Sequence, residues 1–401
     1  MSKKEPIWEI NLLRAFAILA VLLIHTTSMP LNRLDASSNL YGVYLLLNQF
    51  SSFAVPVFLF ISGIVLLYTY YDRPCTWTNI GTFYKKRVTS VLLPYLVFSI
   101  AYFLLNNYNV PEYLYNPKRF AYLLLTGRAH THLYFMFIIL QFYVLFPIFW
   151  AAARKLKGWF PVVAFALQIG YMFFNREVVV HLTSIPAIFH RTGSLSISYF
   201  GFFALGGLIG MYYPRWKRYL RPSPEDRRHP IPWGALIVLW LAVGLYQVYI
   251  AYRGNVHGIR LSSLTMYWIW FAYNTLSSLA LLKLSALGVA KLPVRAVQVL
   301  MNLGACAFGI YLIHPMLQWF YRLIPLDNNP LFFHSYFLGM FAVAFFISWA
   351  ITAWLPKKVR GSVWILGSSP KKVPVEAWRP EANHPSKKRI DKRTRGRSVS
   401  G

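Results

Sequence analysis

Ile10-Asn11-Leu12-Leu13-Arg14-Ala15-Phe16-Ala17-Ile18-Leu19-Ala20-Val21-Leu22-Leu23-Ile24-His25 is an apolar run long enough to enter a bilayer, and it carries an arginine and a histidine. A charged side chain in such a segment is costly and ordinarily lines a cavity or a pathway. The spacing sets the geometry. Arg14 and His25 are eleven residues apart. At about 100° per residue that falls within about 20° of three full turns, so the two share one helix face. At about 1.5 Å per residue they stand roughly 16 Å apart along the axis. One face thus offers a cation near one side of the membrane and a titratable imidazole near the other.

The rest of the chain continues that pattern. Of its 401 residues, 57% are hydrophobic and only 13% charged, the composition of a protein with many membrane spans. The expected fold is all-α, a polytopic transmembrane helical bundle of about ten spans. They are placed near 10–29, 45–70, 88–107, 131–150, 159–175, 196–213, 231–250, 263–282, 298–320 and 336–355. The net charge of +29 invites a nucleic-acid reading, but topology accounts for it. With the N-terminus inside, cytoplasmic segments hold 31 of the 41 Lys and Arg, external segments hold nine, and Arg14 is the remaining one. That asymmetry is the positive-inside signature, and it puts both termini in the cytoplasm.

Residues 1–355 therefore read as a transmembrane domain and 356–401 as a basic tail. From Lys357 to Gly401 the chain carries 13 Lys and Arg with little hydrophobicity, so the tail is expected to be disordered or to lie on the anionic inner leaflet. The first apolar helix is too long for a cleavable signal and is expected to remain as a signal anchor. No connection is long enough to be a catalytic domain; the longest, 214–230, reads as a solvated basic linker. The external stretch 108–130 ends in the apolar run Phe120–Leu125, too short to span and expected to be interfacial or re-entrant. Two cysteines give no disulfide framework. Cys75 falls in a cytoplasmic loop and Cys306 in a helix, where a buried thiol is the ordinary reading.

Histidine is the natural general base near neutral pH. His25 and His314 lie at matching depths in the outer halves of two outward-running spans, and His132 opens a third at its external mouth. Tyr311 shares a face with His314 three residues on. Three helices are thus expected to bring histidines to one outer vestibule. The bland readings are an interfacial His132 and a His314 that only accompanies the kink at Pro315. His130, His181, His190 and His257 fall on external loops and read as solvated. No His-x-x-x-His helix or Cys/His cluster suggests a metal. On the inner side Lys85-Lys86-Arg87 reads either as a positive-inside anchor or as a phosphate clamp for an anionic cofactor, with Arg14 extending that cation path. Glu9 is the carboxylate nearest along the chain to pair with Arg14, and Asp35 is a candidate to orient His25. Ser62-Gly63 suggests close helix packing.

In these positions the chain resembles the acyltransferase-3 family of integral-membrane acyltransferases over nearly all of residues 7–355. The family's basic residue, ten-residue spacer and histidine are matched by Arg14 and His25. Val55-Pro56-Val57-Phe58 and Phe60-Ile61-Ser62-Gly63 follow, then Lys86-Arg87 with Leu93-Pro94-Tyr95. Next come His132-Leu133-Tyr134-Phe135 with Leu140 and Pro147, Phe203-Ala204-Leu205-Gly206, and Phe308-Gly309-Ile310-Tyr311-Leu312-Ile313-His314. Departures are Asn11 where an acidic residue is frequent, Tyr134 where tryptophan is common, and Ile64 where phenylalanine is common.

The resemblance implies a plasma-membrane enzyme moving an acyl group, by default acetyl, from acyl-CoA to a hydroxyl of a surface glycan or its lipid-linked precursor. It implies phosphate binding by Lys86, Arg87 and Lys85, and charge stabilisation by Arg14. His25 would be general base or acyl acceptor, and His314, Tyr311 and His132 would orient the acceptor. No extracellular hydrolase-like domain follows the spans, which implies a stand-alone form. The rival readings are a transporter of a glycan, lipid or anion with Arg14 as counter-charge, and a scaffold that recruits partners through its basic tail.

Overall fold

The computed structural model describes residues 4–182, 189–221, 232–327, 329–367 and 374–378, which contain helices and no strand. Seven helical segments are long and apolar enough to cross a membrane, or eight if Ser196–Met211 and Tyr213–Leu220, bent by 91°, make one broken span. α1 is Glu9–Arg33. α2 (Tyr41–Phe50) and α3 (Ala54–Tyr70) form one interrupted span. α4 (Trp77–Arg87) and α5 (Leu93–Asn107) are joined by a π-helical turn at Val88–Leu92. That turn has a local cause. Pro94 has no N–H and its ring crowds the preceding turn, and Leu93 N donates to Val88 O, one residue further back than an α-helix allows.

Two short helices follow, α6 (Pro111–Leu114) and α7 (Pro117–Leu125). α7 is re-entrant. Ala129 O accepts from Asn106, Phe120 meets Phe103, and Leu124 O accepts from the Tyr95 hydroxyl. Leu124 therefore sits well down α5, and the chain returns outward to begin α8 (Tyr134–Leu156). α9 (Phe160–Glu177) doubles back on α8 at Lys157, which has φ 52°. Phe149 before the turn and Phe160 after it both pack on Phe200, with centroids 4.5 and 5.8 Å away.

α10 (Phe200–Met211) and α11 (Tyr213–Leu220) are the bent pair. α12 (Trp233–His257) and α13 (Ser263–Lys291) follow. α13 is 29 residues long yet is not among the seven; Asn274, Ser277, Ser278, Lys283 and Ser285 lower its hydropathy and are all buried against protein. The bundle closes with α14 (Val294–Tyr321), α15 (Pro330–Ala342) and α16 (Ser348–Lys358).

Small residues set the closest approaches, as they do where no hydrophobic gradient drives helices together. On α3 and α10, a Cβ at Gly63 would strike Phe203 O, one at Gly206 would strike Phe60 O, and one at Gly210 would strike Ile64 O. On α14, a Cβ at Gly304 would strike Asn11 O of α1. α1 and α14 run parallel, since Asn11 meets Gly304 at one end and Gln318 donates to Thr26 at the other.

Beyond α16 the chain does not leave the bundle at once. Leu366 in the turn Val363–Leu366 is buried, and Trp378 packs with Leu12, Val289, Val297 and Met301. These side chains cover apolar surface where α1 and α14 begin; the basic tail beyond residue 378 lies outside the described residues.

Candidate active site

His25, His132, His314 and Tyr311 come together. The rings of His25 and His314 lie 5.2 Å apart, and His132 lies 5.8 Å from His314 and 5.2 Å from Tyr311. The parallel contact of α1 with α14 matches the depths of His25 and His314. His132 reaches them because α7 folds back along α5 and returns the chain beside Asn106 and Tyr102, so α8 starts inside the bundle. His132 and His314 are 1% and 0% exposed, while His25 remains partly open. His132 is thus buried rather than interfacial. The Tyr311 hydroxyl donates to His132 O, and His314 Nδ1 lies 3.0 Å from Ile310 O. A carbonyl can only accept, so Nδ1 carries the proton and Nε2 keeps its lone pair.

Tyr102 completes the arrangement. Pro315 breaks the α14 ladder beside His314. The Tyr102 hydroxyl fills the break, donating to Leu312 O at 2.7 Å and accepting from Met316 N at 3.1 Å. The same ring packs against His130 at 4.5 Å and His132 at 4.9 Å. His130 is therefore not a solvated loop residue. It is half-buried, and its Nδ1 lies 2.7 Å from Nδ1 of His132, so one of the two rings donates and the other accepts.

On the inner side of this cluster lies a cavity of about 370 Å³ whose lining includes Arg14, Ser62, Arg87, Ser90, Tyr143 and Tyr311. It thus extends from two guanidinium groups to the tyrosine that touches His132. Arg87 lies over the Tyr143 ring at 4.9 Å, and Ser90 belongs to the π-turn that follows. Leu366 and Gly367 close one wall; Gly367 has φ 84°, which suits glycine. Arg14 and Val65 also line a second cavity, of about 610 Å³, with Lys4, Asp72 and Arg73. The two cavities share Arg14 and Val65 in their linings.

The sequence profile of the acyltransferase-3 family, an acyltransferase domain, matches residues 7–358. The chain belongs to the acyltransferase-3 family. No curated protein and no solved structure matches it. An acyltransferase of this family needs an acyl donor and an acceptor. Among the described residues, no group of three or more His, Cys, Asp or Glu is arranged to hold a metal ion.

The other expected site residues divide by placement. Within this acyltransferase, Arg87 lines the inner cavity, whereas Lys85 and Lys86 are exposed beside it. Glu9 does not pair with Arg14. It is buried, 2.7 Å from Arg221 and 3.1 Å from the Tyr213 hydroxyl. Five residues on a helix put Glu9 about 140° from Arg14, and Arg14 instead donates to Asn11 at 3.4 Å, one turn away. Asp35 is exposed and accepts from Ser37, not from His25; that contact holds its carboxyl below the usual carboxylate range. His181, His190 and His257 are exposed. Cys75 and Cys306 are both free, and Cys306 is buried.

Sequence reasoning passed over Tyr102, Tyr143 and Ser90. The one signal for Tyr102 was His314-Pro315 itself, since a proline inside a buried helix requires some outside group to meet the freed backbone.

Proposed function

We propose that this acyltransferase moves an acetyl group, or a short relative of it, from acyl-CoA to a hydroxyl of a cell-surface glycan or its lipid-linked precursor. The reading places ten crossings in the plasma membrane, with both termini in the cytoplasm. The count takes α8, α9, α10 and α13 as separate crossings. The observation that carries the proposal is the cavity joining Arg14 and Arg87 to Tyr311, next to the His25–His314 pair.

The donor enters from the cytoplasmic side, where acyl-CoA is made. Arg87, with Lys85 and Lys86 beside it, binds the phosphates as charge-assisted partners. Arg14 holds negative charge further in. The pantetheine arm runs outward along α1 toward His25, roughly 16 Å away. His25 removes the proton from the acceptor hydroxyl as its oxygen attacks the thioester carbonyl. The carbon–sulfur bond breaks, and the proton passes from His25 to the departing thiolate. His314, held in one tautomer by Ile310 O, presents Nε2 toward the reacting groups, and His132 and Tyr311 orient the acceptor.

The deciding experiment uses inside-out vesicles bearing equal amounts of folded wild type or His25→Ala, supplied with radiolabelled acetyl-CoA and a membrane extract containing glycan. Label moves into the glycan or lipid fraction with the wild type and falls by about 100-fold or more in the variant, the scale of a lost general base. If neither protein moves label with acceptor present, the acyl-transfer reading fails. Flux of a glycan or lipid without acyl-CoA would then favour a transporter.

A further inference from the structure

A third cavity, of about 490 Å³, lies on the outer side between α9, the stretch Thr192–Tyr199 and the first half of α13. It shares no lining residue with the donor cavities. Its backbone is unusual for its depth. α10 has only 12 residues, about 18 Å of helix and too short to cross. The outer part of that crossing is made of 3₁₀ turns at Thr192–Ser194 and Ser196–Tyr199. Gln141 holds them, donating to Ser194 O at 2.8 Å and accepting from Ser196 N at 3.0 Å. Gln168 accepts from Gly201 N at 2.8 Å. Gln141 is nine residues further along α8 than His132, about 13 Å deeper in the membrane. Irregular backbone at such depth is tolerated only inside protein or along a polar cavity, and interrupted spans place substrate sites at the break.

The lining shows what the space would hold. Tyr171, Tyr199, Tyr267 and Trp270 supply aromatic surface, and the amides of Gln168 and Asn175 stand among them. Tyr199 and Tyr267 lie 6.0 and 5.9 Å from the Trp270 ring. Thr192 and Ser198 add hydroxyls. Aromatic faces match the C–H faces of a sugar ring, and the Thr192 and Ser198 hydroxyls can donate and accept, as sugar hydroxyls do; the Gln168 and Asn175 amides are bonded to Gly201, Tyr267 and Phe189 and shape the wall. A hydrocarbon tail would leave the Thr192 and Ser198 hydroxyls facing alkane, at a cost. The volume is that of a small-ligand site.

We propose that this cavity binds a pyranose unit of a glycan and is the acceptor subsite. Its role as acceptor subsite rests on the acyl-transfer reading; its sugar binding does not. Gly193 allows a test with little disturbance, because a Cβ there meets only the Tyr199 hydroxyl at 4.0 Å. Wild type, Gly193→Trp and Trp270→Leu are placed in lipid nanodiscs free of glycosidic detergent, and equal folding is checked by thermal unfolding. Maltotriose, cellotriose, mannotriose and chitotriose are titrated by tryptophan fluorescence and by saturation-transfer NMR, with no acyl donor present.

Saturable binding of at least one trisaccharide, weakened tenfold or more in both variants, is expected. An octyl glycoside of that sugar binding tenfold tighter than the free sugar would assign a lipid-linked source, and equal binding a free polymer. No saturable binding of any of the four, or binding unchanged by Gly193→Trp, overturns the proposal. So does displacement of the sugar by octanol alone, which would make this a lipid-tail site. Because no donor is used, failure here leaves acyl transfer standing, and failure of acyl transfer leaves a measurable sugar site.

Discussion

At the residue scale, burial and neighbours separate groups that look alike in sequence. Lys85, Lys86 and Arg87 form one basic run, yet only Arg87 lines the cavity. Arg87→Ala is therefore expected to raise KM for acyl-CoA about tenfold or more, the worth of one charge-assisted hydrogen bond. The paired variant Lys85→Ala/Lys86→Ala, at exposed positions, should change it by only a few-fold. Steady-state kinetics with labelled donor make the comparison; equal effects would mean that the whole run acts as one clamp. Tyr102 gives a second test. Its ring packs in the histidine cluster, but its hydroxyl meets the Pro315 break. Tyr102→Phe keeps the ring and strips the partner from Leu312 O and Met316 N. It should cost about 1–3 kcal/mol of stability and lower kcat by displacing His314. An unchanged melting temperature together with unchanged kcat would show that the bridge is not needed.

At the scale of elements, the site is a product of helix spacing. His25 and His314 meet because α1 and α14 run parallel at the distance Gly304 permits. Gly304→Val would push Asn11 away and separate the helices. It is expected to cost about 1–3 kcal/mol by overpacking and to reduce acyl transfer beyond what the loss of folded protein explains. Gly234→Val, at a position with nothing within 4 Å, is the control. Thermal unfolding in detergent and transfer per folded molecule separate the two effects. The π-turn at Val88–Leu92 belongs to the same scale. Pro94 imposes it, and it sets the direction in which Arg87 and Ser90 face the cavity.

At the scale of the molecule, orientation follows from charge. The positive-inside reading puts Cys75 in the cytoplasm and the stretch around α6 and α7 outside. Cys306 is buried, so a membrane-impermeant maleimide should report on Cys75 alone, labelling it in inside-out vesicles and not in intact cells. Tyr115 is 85% exposed, and Tyr115→Cys in a Cys75→Ser background should show the reverse. Labelling of both from one side would break the assigned topology. The cavities lined by Arg14 and Arg87 would then no longer face the compartment that makes acyl-CoA.

The sequence by itself determined that the chain is helical and apolar enough for many crossings, that Arg14 and His25 share a face, and that His25 and His314 match in depth. Each follows from periodicity or from arithmetic along one helix, which needs no partner. It also carried the family, because ordered motifs survive without a fold to hold them. The tertiary structure alone decided what depends on contacts between helices distant in the chain. It turned Glu9 away to Arg221, brought His130 and Tyr102 into the cluster, left Lys85 and Lys86 at the surface and sank Thr192–Tyr199 into the bundle. Those outcomes rest on which carbonyl lacks a donor and which glycine admits a neighbouring backbone, and neither is set until the helices are packed.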